Sequence, residues 1–194
     1  MSIKATIRAA LLLTTLAGCA SAPVTLGPDS DPRVARELLV SAARSGPIRL
    51  DVNSLPSATD GALTMQEVAA EAARGIQGLN VRFEPPAAAS TGPGSGARLL
   101  LLFDPPPDVA PRVACIAANP PAPVAQSPAR LQALFCDGGT FIADVTGTAE
   151  GDRLVQTRRL IWRTTARLFP DDYAETFGLR QLSWPFGSDD PLKP

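Results

Sequence analysis

Downstream of an apolar stretch near the N-terminus, hydrophobic positions recur with two periods, one near 3.6 residues and one of 2. Asp31-Pro32 has the form of an N-cap followed by proline at the first helical position, with Val34, Leu38 and Ala42 at helical spacing up to Gly46-Pro47. From Pro47 to Asn53, Ile48, Leu50 and Val52 alternate with Arg49 and Asp51, as in a half-buried strand. Thr64-Met65-Gln66-Glu67 is a capping box, and Leu63 and Val68 stand at staple spacing around it. The register that follows puts Met65, Val68, Ala69, Ala72, Ile76 and Leu79 on one stripe, with Glu67, Glu71 and Arg74 opposite and Gly75 and Gly78 at the end.

Strands are then expected at Leu79 to Glu84, Ala97 to Asp104, Arg112 to Ala118, Arg130 to Asp137 and Thr140 to Gly147. Asp137-Gly138-Gly139 marks a tight hairpin between the last two. The run Leu99-Leu100-Leu101-Leu102-Phe103 is apolar on both faces and is expected to be the central strand. Short or proline-rich connections favour antiparallel neighbours, because a parallel return needs a crossover of a dozen or more residues. From Asp152 to Phe169 the length favours a third helix, with Leu154, Ile161, Thr165, Leu168 and Phe169 on one side and Arg159, Arg163 and Arg167 on the other. Arg158 falls inside the apolar arc, so it must either snorkel out or meet a carboxylate. The pattern as a whole predicts an α+β fold: an antiparallel sheet of four to six strands with two or three helices on one face.

Composition narrows the chemistry more than the fold. The 194 residues include 20 Pro and 15 Gly, so irregular connections are long and the core is small. A net charge of -1 with interspersed signs gives no footprint for nucleic acid. With no histidine, Ser-His and Cys-His nucleophile pairs and histidine metal sites are excluded.

Lys4 and Arg8 precede the apolar run Ala9 to Leu13, which is too short to span a bilayer as a helix. Small residues follow, completing the layout of a secretory signal. The junction Leu16-Ala17-Gly18-Cys19 resembles the lipobox of bacterial lipoproteins. That resemblance implies that Cys19 carries the lipid, that the signal is residues 1–18, and that Ala20-Ser21 direct the protein to the outer membrane, facing the periplasm. Loss of Lys4 and Arg8 with the signal takes the net charge from -1 to -3. Residues 19–30 then read as a lipidated tether, 31–186 as one domain and 187–194 as a loose tail. The aromatic segment from Tyr173 to Phe186, which includes Trp184, is expected to dock on the body.

An even pair of cysteines, Cys115 and Cys136, remains in an oxidising compartment and is expected to form a disulfide, joining neighbouring antiparallel strands across the loop Asn119 to Ala129. The glycine-rich stretch Gly92 to Gly96 precedes a strand and lacks a P-loop lysine, so it reads as a connector. Asp137, Asp144, Glu150 and Asp152 surround the hairpin and offer carboxylates for a metal or for acid-base chemistry, although solvated turn and cap positions account for them more simply. No cofactor or metal site is expected. Arg159, Arg163 and Arg167 form a stripe able to grip phosphates of lipopolysaccharide or an acidic partner surface, although a solvated helix face accounts for it more simply, with Trp184 as a second candidate contact. The expected function is a non-catalytic interaction or assembly module, anchored by lipid and presented to an envelope protein. A small-molecule or lipid carrier with a sheet-helix cavity is the alternative, and a carboxylate-dependent enzyme a further one.

Overall fold

The computed structural model describes residues 23–86, 96–125, 129–149, 151 and 153–171. Two long antiparallel strands organise it, β7 (Ala129–Asp137) and β8 (Thr140–Ala149), joined through Gly138-Gly139. Gly138 has φ +57°, the left-handed conformation that a two-residue hairpin loop demands. β6 (Ala97–Phe103) pairs antiparallel with β7, matching Leu99 to Phe135 and Leu101 to Ala133. On its other side β6 runs parallel to β2 (Ile48–Val52), which is in turn parallel to the two-residue β5 (Phe83–Glu84). β1 (Val24–Leu26) pairs antiparallel with β8 at the opposite edge, giving the order β1-β8-β7-β6-β2-β5. A separate small hairpin joins β3 (Ser57–Ala58) to β4 (Gly61–Ala62).

The fold is α+β, with a mostly antiparallel six-stranded sheet. The expected central strand is β6, buried along nearly its whole length. The parallel pairings depart from expectation because α2 supplies the crossover that lies between β2 and β5. Edge strand β1 comes from the segment expected to be part of the tether; Gly27 N extends that edge by donating to Asp144 O at 2.9 Å.

Three helices cover one face: α1 (Pro32–Ser45), α2 (Met65–Arg74) and α4 (Leu154–Leu168). Asp31 caps α1 by accepting from Arg33 N and Val34 N, both at 3.1 Å. The buried positions of α1 are Ala35, Arg36 and Leu39, one step from the expected Val34, Leu38 and Ala42 stripe. The shift brings the Arg36 guanidinium to the carbonyls of Phe169 (3.1 Å) and Gln77 (2.9 Å), where it ties down the chain after α4 and α2. At α2 the capping box forms: Thr64 Oγ1 accepts from Glu67 N at 3.3 Å and Glu67 accepts from Thr64 N at 2.8 Å. Leu63 and Val68 are both buried in the core.

α2 and α4 run side by side and approach very closely at Gly75. A Cβ there would lie 2.0 Å from Thr165 Oγ1 and 2.6 Å from the Trp162 carbonyl, so only glycine permits this spacing. Leu99, Leu101 and Phe103 of β6, Leu131, Ala133 and Phe135 of β7, and Val145 of β8 pack beneath the helices with Val68, Ala72, Ile161 and Leu168. Phe135 meets Phe169 edge to face, ring centroids 5.0 Å apart.

The segment Arg112 to Ala118, expected as a strand, is instead a short helix, α3 (Pro111–Ile116). Proline at its first position and burial of the adjacent pair Ala114 and Cys115 fit a helix, whereas strand alternation would have separated them. It lies on the other face of the sheet, against Leu100, Leu102, Leu134 and Cys136. The sheet is therefore covered on both faces, not one.

Candidate functional site

The arginine stripe of α4 has the register the sequence predicts at its ends. Arg159 and Arg167 are exposed and Arg163 is partly buried, while Ile161 and Leu168 are fully buried and Leu154 partly so. Arg158 meets carboxylates: its guanidinium binds Glu67 and, at 3.3 Å, Glu71. Glu71, expected on the exposed side of α2, is therefore only 8% exposed, because the neighbouring helix supplies its cation. The Glu67 carboxyl is held down at about 2, first by the Thr64 backbone N–H and then by Arg158. In return the Arg158 guanidinium is pushed up, chiefly by its hydrogen bond to Glu67. This network fastens α2 to α4 and leaves Arg159 and Arg167 to solvent.

The second face carries a buried ionic group that the sequence reading missed. Arg98 and Asp51 are 2% and 3% exposed and lie 3.2 Å apart. Asp51 also accepts from Arg49 Nε at 2.8 Å. Arg98 turns toward the end of α3 and donates to the carbonyls of Ala114 (3.4 Å) and Cys115, while its Nε has no partner among the described residues. Burial pulls its guanidinium down and Asp51 opposes that pull. A cation at a helix C-terminus meets the negative end of the peptide dipoles, so Arg98 both satisfies Asp51 and seats α3. Alternation had assigned Asp51 to a solvent-facing position, an inference that fails once α3 covers that face. A lone arginine opening an apolar strand was the available signal.

Cys115 and Cys136 have sulfurs 2.00 Å apart, at disulfide-bond distance. The expected partners thus meet, but across the sheet face rather than along paired strands: the strand neighbours of Cys136 are Arg98 and Phe141. The outer surface of α3 exposes Val113 and Ile116, at 57% and 61%. In its first turn the exposed Arg112 lies 3.6 Å from Asp29 and 5.8 Å from the Phe141 ring centroid.

The carboxylates around the hairpin do not form a common site. Asp137 is exposed at the end of β7, whereas Asp144 is buried and accepts from Ser30 Oγ and Gln132 Nε2, both at 3.0 Å. Glu150 and Asp152 lie outside the described residues, as do Cys19, Trp184 and residues 92–95. Among the described residues no group of three or more His, Cys, Asp or Glu side chains is arranged to hold a metal, and no helix is long and apolar enough to cross a membrane.

Among the described residues, a pair of clefts lies at opposite ends of the sheet. One, of about 470 Å³, lies where α1 ends, between Ser41, Ser45, Arg49, Ala97 and Asp137. The other, of about 420 Å³, lies where β6 ends, between Leu55, Phe103, Pro123, Arg130, Ala149 and Leu160. Neither of these two is lined by α2, and the second reaches only Phe103 of the Leu99 to Phe103 run. Comparisons with protein-family models, with curated proteins and with solved structures give no match.

Proposed function

We propose that this chain is a lipid-anchored envelope protein, held at the periplasmic side of the outer membrane, whose domain is a non-catalytic interaction module. The observation that carries the reading is the junction Leu16-Ala17-Gly18-Cys19 at the end of a short apolar run, which resembles a lipobox. Two surfaces support the interaction role. Arg159 and Arg167 stand exposed on α4 and suit an acidic partner; Val113 and Ile116 form an apolar pair on α3, on the opposite side of the sheet.

The test has two parts. Metabolic labelling with a palmitate analogue should mark the wild-type protein and leave Cys19→Ala unmarked; equal labelling of both would overturn the anchor. Cross-linking in intact envelopes should capture one stoichiometric protein partner, and combined Arg159→Glu and Arg167→Glu changes should weaken that capture. A captured partner indifferent to those changes would move the contact away from α4.

A further inference from the structure

The direction of β1 fixes which end of the domain stands nearest any N-terminal anchor. Val24 pairs with Gly147, so residue 23 leaves the sheet at the end where β8 finishes, β7 begins and β6 finishes. Cys19 is five residues before Val24, and an extended chain spans at most about 3.5 Å per residue, so a lipid on Cys19 lies within about 17 Å of that end. The cleft bounded by Leu55, Phe103, Pro123 and Leu160 opens at the same end, and so does the N-terminus of α4.

The cleft walls are pinned. Asn53 Nδ2 donates to the carbonyls of Phe103 (2.8 Å) and Pro121 (3.2 Å), and Asn53 Oδ1 accepts from Phe103 N at 2.8 Å. Val124 N donates to Asp104 O at 2.7 Å. Asp104, a non-glycine residue at φ +44°, exchanges bonds of 2.8 Å with the backbone of Arg130, using both its own N–H and its carboxylate. On this fixed backbone Leu55 and Val124 are 48% and 51% exposed, and Val155 in the first turn of α4 is 54% exposed. Large aliphatic side chains on a braced rim cost solvation in water without adding to the core.

We propose that this end is a lipid-contacting surface, with Leu55 and Val124 reaching the boundary between head groups and acyl chains in the leaflet that holds the Cys19 anchor. The inference rests on the anchored reading above and adds the orientation of the domain to it. A short tether holds the rim at high effective concentration against the bilayer, so contacts too weak to recruit a free domain suffice to orient a tethered one. The contact is apolar, since a chain of net charge -3 after signal removal is not drawn to anionic lipid. The end with the Leu55 and Phe103 cleft thus faces lipid, and the end with the hairpin at Gly138-Gly139 and the cleft beside Asp137 faces away from it.

The full-length protein, purified from membranes and reconstituted in phosphatidylcholine vesicles, tests this by flotation and amide hydrogen exchange, with the Cys19→Ala protein in solution as reference. Flotation with several-fold slower exchange over residues 53–58 and 129–131, and unchanged exchange over α3, is the expected result. A Leu55→Ser, Val124→Ser variant, altered only at exposed side chains, should float equally and lose that slowing. Flotation without slowing at this end, or slowing that the double variant retains, overturns the orientation while the anchor stands. Failure of the wild type to float overturns the anchor, and the orientation with it.

Discussion

Asp51 and Arg98 show at the scale of single residues how a charge is kept inside a small sheet. The pair lies between β2 and β6 beneath α3, and each partner has a further contact: Arg49 for Asp51, the α3 carbonyls for Arg98. Breaking such a pair from one side leaves an uncompensated buried charge, which costs about 3 to 5 kcal/mol, whereas replacing both partners by apolar side chains is often near neutral. Asp51→Ala should therefore be strongly destabilising in urea unfolding, and Asp51→Leu combined with Arg98→Met less so than Asp51→Ala alone. Equal costs for the single and the double change would show that losing the Arg98 bonds to the α3 carbonyls costs as much as leaving its charge unpaired. Glu67 gives a complementary expectation in pH. Its carboxyl is held near 2 against an ordinary 4.5, so its stabilising contribution is complete above pH 4.5 and is lost as pH falls toward 2. The melting-temperature gap between wild type and Glu67→Gln should narrow across that window. The group is partly exposed, so salt should shrink the gap.

Among the elements, those with strong local chemistry were legible and those decided by distant partners were not. The capping box at Thr64, the Asp31 cap, the Gly138-Gly139 hairpin and the doubly apolar β6 each carry their own instruction, and each forms where the sequence places it. α3 does not, because a six-residue apolar stretch reads equally as strand or helix until its partners are known. The parallel pairing of β2 with β6 depends on contacts far apart in sequence and leaves no local mark. Of the candidate site, the α4 register and the cysteine pairing were legible, while the ionic group under α3 was hidden by the assumption of a one-sided sheet. Ile161→Ala should cost about 2 to 5 kcal/mol, as expected for a fully buried aliphatic truncation. Arg163→Ala on the other side of the same helix should stay near neutral in the same urea titration. α3 has its own test: closing 21 residues of sequence separation, the Cys115 to Cys136 bond should contribute about 3 kcal/mol. Thiol titration of denatured, non-reduced protein should find neither cysteine free, and the double alanine variant should unfold at correspondingly lower urea.

For the whole molecule, the order β1-β8-β7-β6-β2-β5 joins the first strand to the last. Pairing Thr25 with Thr146 closes a stretch of 121 residues, whereas β7 and β8 meet across two. The entropy of closing a long loop must be met before its contacts reward it, so pairing of this range comes late. In pulse-labelled hydrogen exchange the amides of β7 and β8 should be protected before that of Gly27, which bonds to Asp144 O. Simultaneous protection would mean that β1 belongs to the folding nucleus. Late docking has a consequence for the life of the chain: while the rest of the sheet assembles, Val24 to Leu26 are still unpaired, and any binding partner that takes them as an extended strand finds them open until β1 docks on β8.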